Sequence, residues 1–184
     1  MIDREQALAL LTSFSPDQHL VNHAVETEAV MRGLAGKLGQ DPDLWGIAGL
    51  LHDVDFPMTK DAPARHGLMA MDILTGKLPD EALQAIRAHN AEHTGQTPET
   101  NFDFALRAAE SATGLVSANA MVRPERMRGM KPKSLKKKMK EKAFAANVDR
   151  GRILECEKLG LELGDFFQVA IDAFEPIAAD VGLA

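Results

Sequence analysis

The chain has 184 residues, 45% of them hydrophobic and 26% charged. That balance suits a folded globular body with a continuous core and excludes a disordered chain. It also excludes a helical membrane protein, since no apolar run approaches the roughly 20 residues of a bilayer crossing. The net charge of −6 hides a segregation, because residues 123–142 carry +8 and leave −14 on the rest.

The first residues include Asp3, Arg4 and Glu5, where a secretion signal needs a basic start and a long apolar run. A cytoplasmic location is the expectation, and the single Cys156, which can form no internal disulfide, agrees with a reducing compartment. Between Glu155 and Glu157 it reads as a packing residue rather than a nucleophile.

Asp3 followed by Gln6 predicts a capped first helix ending near Ser13. A second opens at Ser15-Pro16-Asp17 and runs to Leu38, with Gly39 as its stop. Its stripe of Leu20, His23, Thr27, Val30, Leu34 and Leu38 turns His23 toward the core. A third helix starts after Asp41-Pro42, carries Leu44, Ile47, Ala48 and Leu51 inward, and delivers His52 and Asp53 at its last turn. The stretch from Asp55 to Pro63 reads as a loop.

Further helices are predicted at about 63–75, 79–91, 102–121, 132–145, 149–159 and 162–181. No segment alternates with a period of two, and tyrosine is absent. The expected fold is all-α, an orthogonal helical bundle over residues 1–122 with a helical C-terminal extension, residues 123–184, packed on the same body behind a hinge at Arg123–Pro132. In the basic segment Leu135, Met139 and Ala143 recur every four residues, so a helix there seats its apolar row and turns Lys136, Lys137, Lys138 and Lys140 outward. This is either a solvated face or a phosphate contact, and the lack of interleaved aromatics counts against nucleic acid as a partner.

The pair His52-Asp53 closes an apolar run, and a buried imidazole beside a buried carboxylate is costly without a cation. Both groups are good ligands for a divalent metal. His66, His89 and Glu110 fall on other predicted helices, which is how a bundle assembles a metal centre from facing elements. His19 and His93 read as surface or helix-end residues. His89 and His93 have the spacing of a zinc-protease helix, but Asn90 stands where that motif needs glutamate.

The order His23, His52-Asp53, His66, His89, acid resembles the HD-domain superfamily of metal-dependent phosphohydrolases over residues 18–122. Leu50-Leu51-His52-Asp53 carries the strongest likeness, followed by the segment opening at His66-Gly67 and the run from Ile86 to His89. The family usually ends this series with aspartate, whereas this chain has Glu110; Asp103, two turns earlier, is a rival that suits a helix cap better. The resemblance implies one or two divalent ions, with Mn, Fe, Zn, Ni, Co and Mg not distinguished. One ion implies His23, His52, Asp53 and Glu110 as ligands; two imply a bridging Asp53, with His66 and His89 holding the second.

The implied reaction is hydrolysis of a phosphomonoester or phosphoanhydride of a nucleotide or small metabolite, by water whose pKa the metal lowers toward about 7. Asp55 or Asp61 then protonates the leaving group or orients water, and Lys60, Arg65 and Arg87 are candidate phosphate contacts. The basic helix is a further candidate for folding over the mouth of the site. Two other readings stay open: a metal- or nucleotide-binding domain without turnover, and a di-iron oxygenase of the same superfamily. No membrane partner is expected.

Overall fold

A computed structural model describes all 184 residues, and it is helical throughout with no strand. The helices are α1 (Arg4–Ser13), α2 (Gln18–Leu38), α3 (Pro42–Leu51), α4 (Phe56–Thr59), α5 (Met69–Leu74), α6 (Asp80–Ala88), α7 (Ala91–Thr94), α8 (Asn101–Met121), α9 (Pro132–Lys140), α10 (Arg150–Leu154) and α11 (Leu163–Phe174). The all-α bundle expected from the sequence is what the chain forms.

Helix ends follow local chemistry. Asp3 and Gln6 form a reciprocal capping box on α1, Asp17 caps α2, and Asp41 caps α3 ahead of Pro42. Gly39 ends α2 in the left-handed region with φ of 68°. Asp103, the rival acid, sits inside α8 and accepts from Glu99 and Thr100 backbone N–H groups while Thr100 caps Asp103, so it serves the helix start.

Several expected boundaries move. The loop expected from Asp55 to Pro63 holds a turn of helix, α4. The helix expected over 63–75 is a 3₁₀ turn at Pro63–Arg65 and then α5, because Gly67 has φ of 85° and breaks it. α9 stops at Lys140, so Ala143 lies beyond it and Phe144 takes up the packing instead. α10 and α11 continue as 3₁₀ turns at Glu155–Leu159 and Glu175–Ile177.

The core is one continuous cluster. α2 lies along α3, α8 and α11, and α8 also meets α6, α9 and α10. Gly49 lets α3 approach α2 closely, since a β-carbon there would stand 3.0 Å from the Thr27 carbonyl oxygen. Trp45 stacks on Phe102 with ring centres 4.8 Å apart, tying α3 to α8. Phe166, Phe167 and Phe174 from α11 join the same cluster, so the C-terminal helices share the core of the rest. The stretch expected as a hinge is anchored: Met127 and Met130 are buried, and the Met127 N–H donates to the Leu183 carbonyl. Cys156 is buried as expected, and burial pushes its thiol up to about 11.

A charged network fastens α10 to α8. Arg107, 4% exposed, donates to both carboxylate oxygens of Glu155, to Glu92, and to the backbone carbonyls of Ala88 and His89. Arg152 reaches Glu92 and Glu110. Against the effect of burial, these guanidinium hydrogen bonds hold the Glu92 carboxyl down to about 2. Removing Arg107 leaves Glu155 and two carbonyls without their donor. Arg107→Ala should therefore lower unfolding free energy by about 3–5 kcal/mol in urea titration, as expected when one partner of a buried ion pair is deleted.

Candidate metal centre

Five side chains meet at one point. Asp53 Oδ1 lies 3.1 Å from His66 Nε2 and 3.4 Å from the Nε2 atoms of His52 and His89, and Asp53 Oδ2 lies 3.9 Å from His23 Nε2. The Nε2 atoms of His23 and His52 are 3.2 Å apart, and those of His66 and His89 3.0 Å. They form two ligand-distance groups, His23 with His52 and Asp53, and Asp53 with His66 and His89.

Each imidazole is aimed by what its other nitrogen touches. His52 and His89 follow directly on the last residues of α3 and α6, where terminal carbonyls lack an intrahelical donor. The His52 Nδ1–H donates to the Gly49 carbonyl at 2.7 Å, and the His89 Nδ1–H donates to the Ile86 carbonyl. His66 Nδ1 lies 2.9 Å from Asp55 Oδ1. His23 Nδ1 lies 3.0 Å from the Thr113 hydroxyl, whose own hydrogen goes to the Glu110 carbonyl, so here too the ring is the donor. All four rings thus carry their fixed proton on Nδ1 and turn Nε2 inward.

Four inward lone pairs and a carboxylate cannot satisfy one another. Neither Nε2 of the close pairs has a proton to share unless one ring is charged, and the site requires a positive species at its centre. Without metal that species is a proton on His66: burial alone would lower this ring, but the hydrogen bonds to Asp53 and Asp55 outweigh it and raise it to about 10. Burial lowers the His23 and His52 rings. Burial would raise Asp53, but the surrounding imidazoles hold it well below the ordinary carboxylate range. The donor set of neutral imidazoles around a carboxylate fits a divalent cation.

The other expected site residues are placed elsewhere. Glu110 belongs to neither ligand-distance group; its Oε1 accepts from Arg152 at 2.7 Å and from Ser111 at 3.0 Å. Asp55 is fully buried rather than on a solvated loop, and its oxygens take up His66 Nδ1 and the backbone N–H groups of Gly67 and Ala70. Lys60, Asp61 and Arg65 are exposed, and Arg87 donates to Gln84 on its own helix. A cavity of about 400 Å³ opens on His23 and Asp53, and none of Lys60, Asp61, Arg65, Arg87 or the lysines of α9 lines it. The exposed lysines of α9 face a separate groove, so the basic helix does not fold over the site.

Sequence reasoning missed three contributors. Thr113 aims His23 from 90 residues away. Asn90 donates to the Pro63 and His66 carbonyls and so holds the turn that presents His66. Gly67 lets that turn pass α6, since a β-carbon would stand 3.2 Å from the Ile86 carbonyl oxygen and 3.3 Å from His89 Cε1. Only Gly67 left a signal, as a glycine next to a candidate ligand.

Residues 20–140 match the family model for the HD domain. The chain belongs to the HD-domain family. This places it in a superfamily of metal-dependent phosphohydrolases whose members bind divalent metals. Among curated proteins, this HD-domain chain is similar to Ribonuclease Y of Nitratidesulfovibrio vulgaris (strain DP4), 34% identical over 103 residues, which are 56% of the chain and 19% of that protein. Ribonuclease Y of Desulfotalea psychrophila is 30% identical over 99 residues, 53% of the chain and 18% of the relative. Ribonuclease Y of Listeria welshimeri is 32% identical over 96 residues, 52% and 18% respectively. The chain thus spans about a fifth of the length of these relatives. No solved structure matches it.

Two outcomes follow from the ring contacts. Metal binding near pH 7.5 should expel the His66 proton, and calorimetry in buffers of different ionisation enthalpy should return about one proton released. Thr113→Val removes the partner that aims His23 while keeping the shape, and should weaken metal affinity by about 10–100-fold in chelator competition with the fold intact.

Proposed function

We propose that the protein is a metal-dependent phosphohydrolase acting on a phosphomonoester or phosphoanhydride of a nucleotide or small metabolite. The observation that carries this reading is the convergence of four Nε2 atoms on Asp53, beside a cavity that opens on Asp53 and His23. The two groups share Asp53, so His23 and His52 would hold one ion and His66 and His89 a second, with Asp53 common to both. When bound, the metal supplies a nucleophile at neutral pH by lowering the pKa of water, together with positive charge for the phosphoryl oxygens.

The protein's own residues do the rest. The four rings hold their geometry through their Nδ1 partners, so little reorganisation is needed as charge develops. Asp55 positions His66 and touches no solvent. Phe56, Met121, Val181 and Leu183 are apolar walls, and no lysine or arginine lines the cavity. Its volume falls in the range of small-molecule sites, about 300–1,000 Å³, which supports a nucleotide-sized substrate. The absence of lining cations means that phosphate charge is met at the metal centre.

A second reading, cleavage of an RNA phosphodiester, is favoured by the relatives named Ribonuclease Y. The two separate in one panel. Protein supplied in turn with Mn, Fe, Zn, Ni, Co and Mg should release phosphate from nucleotides or small phosphoesters and leave a labelled oligoribonucleotide intact; the reverse pattern selects the second reading, and no hydrolysis under any metal sinks both. His52→Ala and Asp53→Ala should each lose bound metal, read by elemental analysis, and reduce hydrolysis to background.

A further inference from the structure

Phosphate ester hydrolysis needs a proton for the departing oxygen, and the acids expected to give it do not reach the cavity. Asp55 spends its oxygens on His66, Gly67 and Ala70, and Asp61 is exposed and lies off the lining. The lining has one other carboxyl besides Asp53. Glu26 stands one helical turn after His23 on α2, is 6% exposed, and makes no hydrogen bond to any of the five converging side chains.

Its surroundings suit a proton donor. No lysine or arginine shares the cavity to hold Glu26 ionised. From α2 the titratable groups on the lining are His19, at the exposed rim, and His23; Asp53 forms the floor. α8 contributes the Ser117 hydroxyl and α2 the uncharged Asn22 amide, and the remaining lining residues are apolar. Burial pushes the Glu26 carboxyl up to about 7, with Ser117 near enough to pull the other way without forming a hydrogen bond in this geometry. Burial of this kind favours the protonated carboxyl, and an acid whose pKa is shifted toward the operating pH suits general acid catalysis.

We propose that Glu26 is the general acid that protonates the leaving oxygen of the substrate held between it and the Asp53 centre. The inference rests on the phosphohydrolase reading above. In the step, a water oxygen forms the new P–O bond and the ester P–O bond breaks. The Glu26 proton passes to the departing alkoxide, and a proton of the attacking water returns through solvent to the carboxylate. An alkoxide leaving group depends on this proton heavily, whereas p-nitrophenolate, already a stable anion, departs without it.

The test uses the full chain, metal-loaded, with Glu26→Gln and His19→Gln. Glu26→Gln keeps the shape of the neutral acid and should retain metal content while losing roughly 10²–10⁴-fold in kcat on an alkyl phosphate and less than about tenfold on p-nitrophenyl phosphate. His19→Gln should show no such split. Equal losses of Glu26→Gln on both substrates, or a leaving-group-dependent loss in His19→Gln instead, overturn the assignment. A measurement without turnover runs alongside: carboxyl carbon NMR of metal-free protein should show one glutamate titrating near 7 that Glu26→Gln removes. If every glutamate titrates in the ordinary range near about 4.3, the proposal fails even where hydrolysis is found. Failure of the unmodified protein to hydrolyse either ester removes the phosphohydrolase reading, and this role with it, whatever the NMR shows.

Discussion

Four imidazoles whose Nδ1 protons are all engaged elsewhere turn four Nε2 atoms toward one carboxylate, and much of the fold serves to hold that arrangement. It is unfavourable in a buried setting unless a cation sits among the donors, so the protein must spend packing and hydrogen-bond energy to maintain it. Two of the rings solve this at helix ends, where the Gly49 and Ile86 carbonyls have no intrahelical donor and accept from His52 and His89. The other two are aimed by side chains, Asp55 for His66 and Thr113 for His23. Loss of either kind of anchor would free a ring to rotate and turn the lone pair away.

Support reaches the centre from outside the stretch that carries its converging side chains. Arg107 holds the Ala88 and His89 carbonyls, and it is itself held by Glu155 on the C-terminal side. Arg152 draws Glu110 into the same network, which explains why an acid in the expected place is not among the converging side chains. The C-terminal helices are therefore part of the site's scaffold, and they share its core through Ile153, Phe166 and Phe174. The Val181 and Leu183 walls of the cavity come from the same part of the chain.

Electrostatics divides the protein into separate regions. The cavity at the centre holds two carboxyls and no lysine or arginine, while the lysines of α9 face another groove altogether. A phosphorylated ligand in the cavity would meet positive charge only at the metal centre, so binding and chemistry are concentrated at the same atoms.

Much of this was legible in the sequence, because the signals were local. Capping pairs, proline at helix starts and a period of 3.6 in the apolar residues placed α1, α2, α3 and α8 to within a residue or two. The order His23, His52-Asp53, His66, His89, through its likeness to the HD-domain family, singled out the side chains that converge. What required tertiary structure was everything set by contacts between distant segments. Glu110 sits on the expected helix, yet Arg152, 42 residues on, decides where its charge is spent. Asp55 reads as a loop acid until the turn at Gly67 brings three donors onto it. Glu26 looks like any polar residue of an amphipathic helix, and only the closing of α8 and the C-terminal residues over it makes it a buried acid. The sequence by itself determined which residue types were available and on which helical faces. The tertiary structure decided which of them meet and which lose their water, because desolvation and charge pairing depend on neighbours that helical periodicity does not encode.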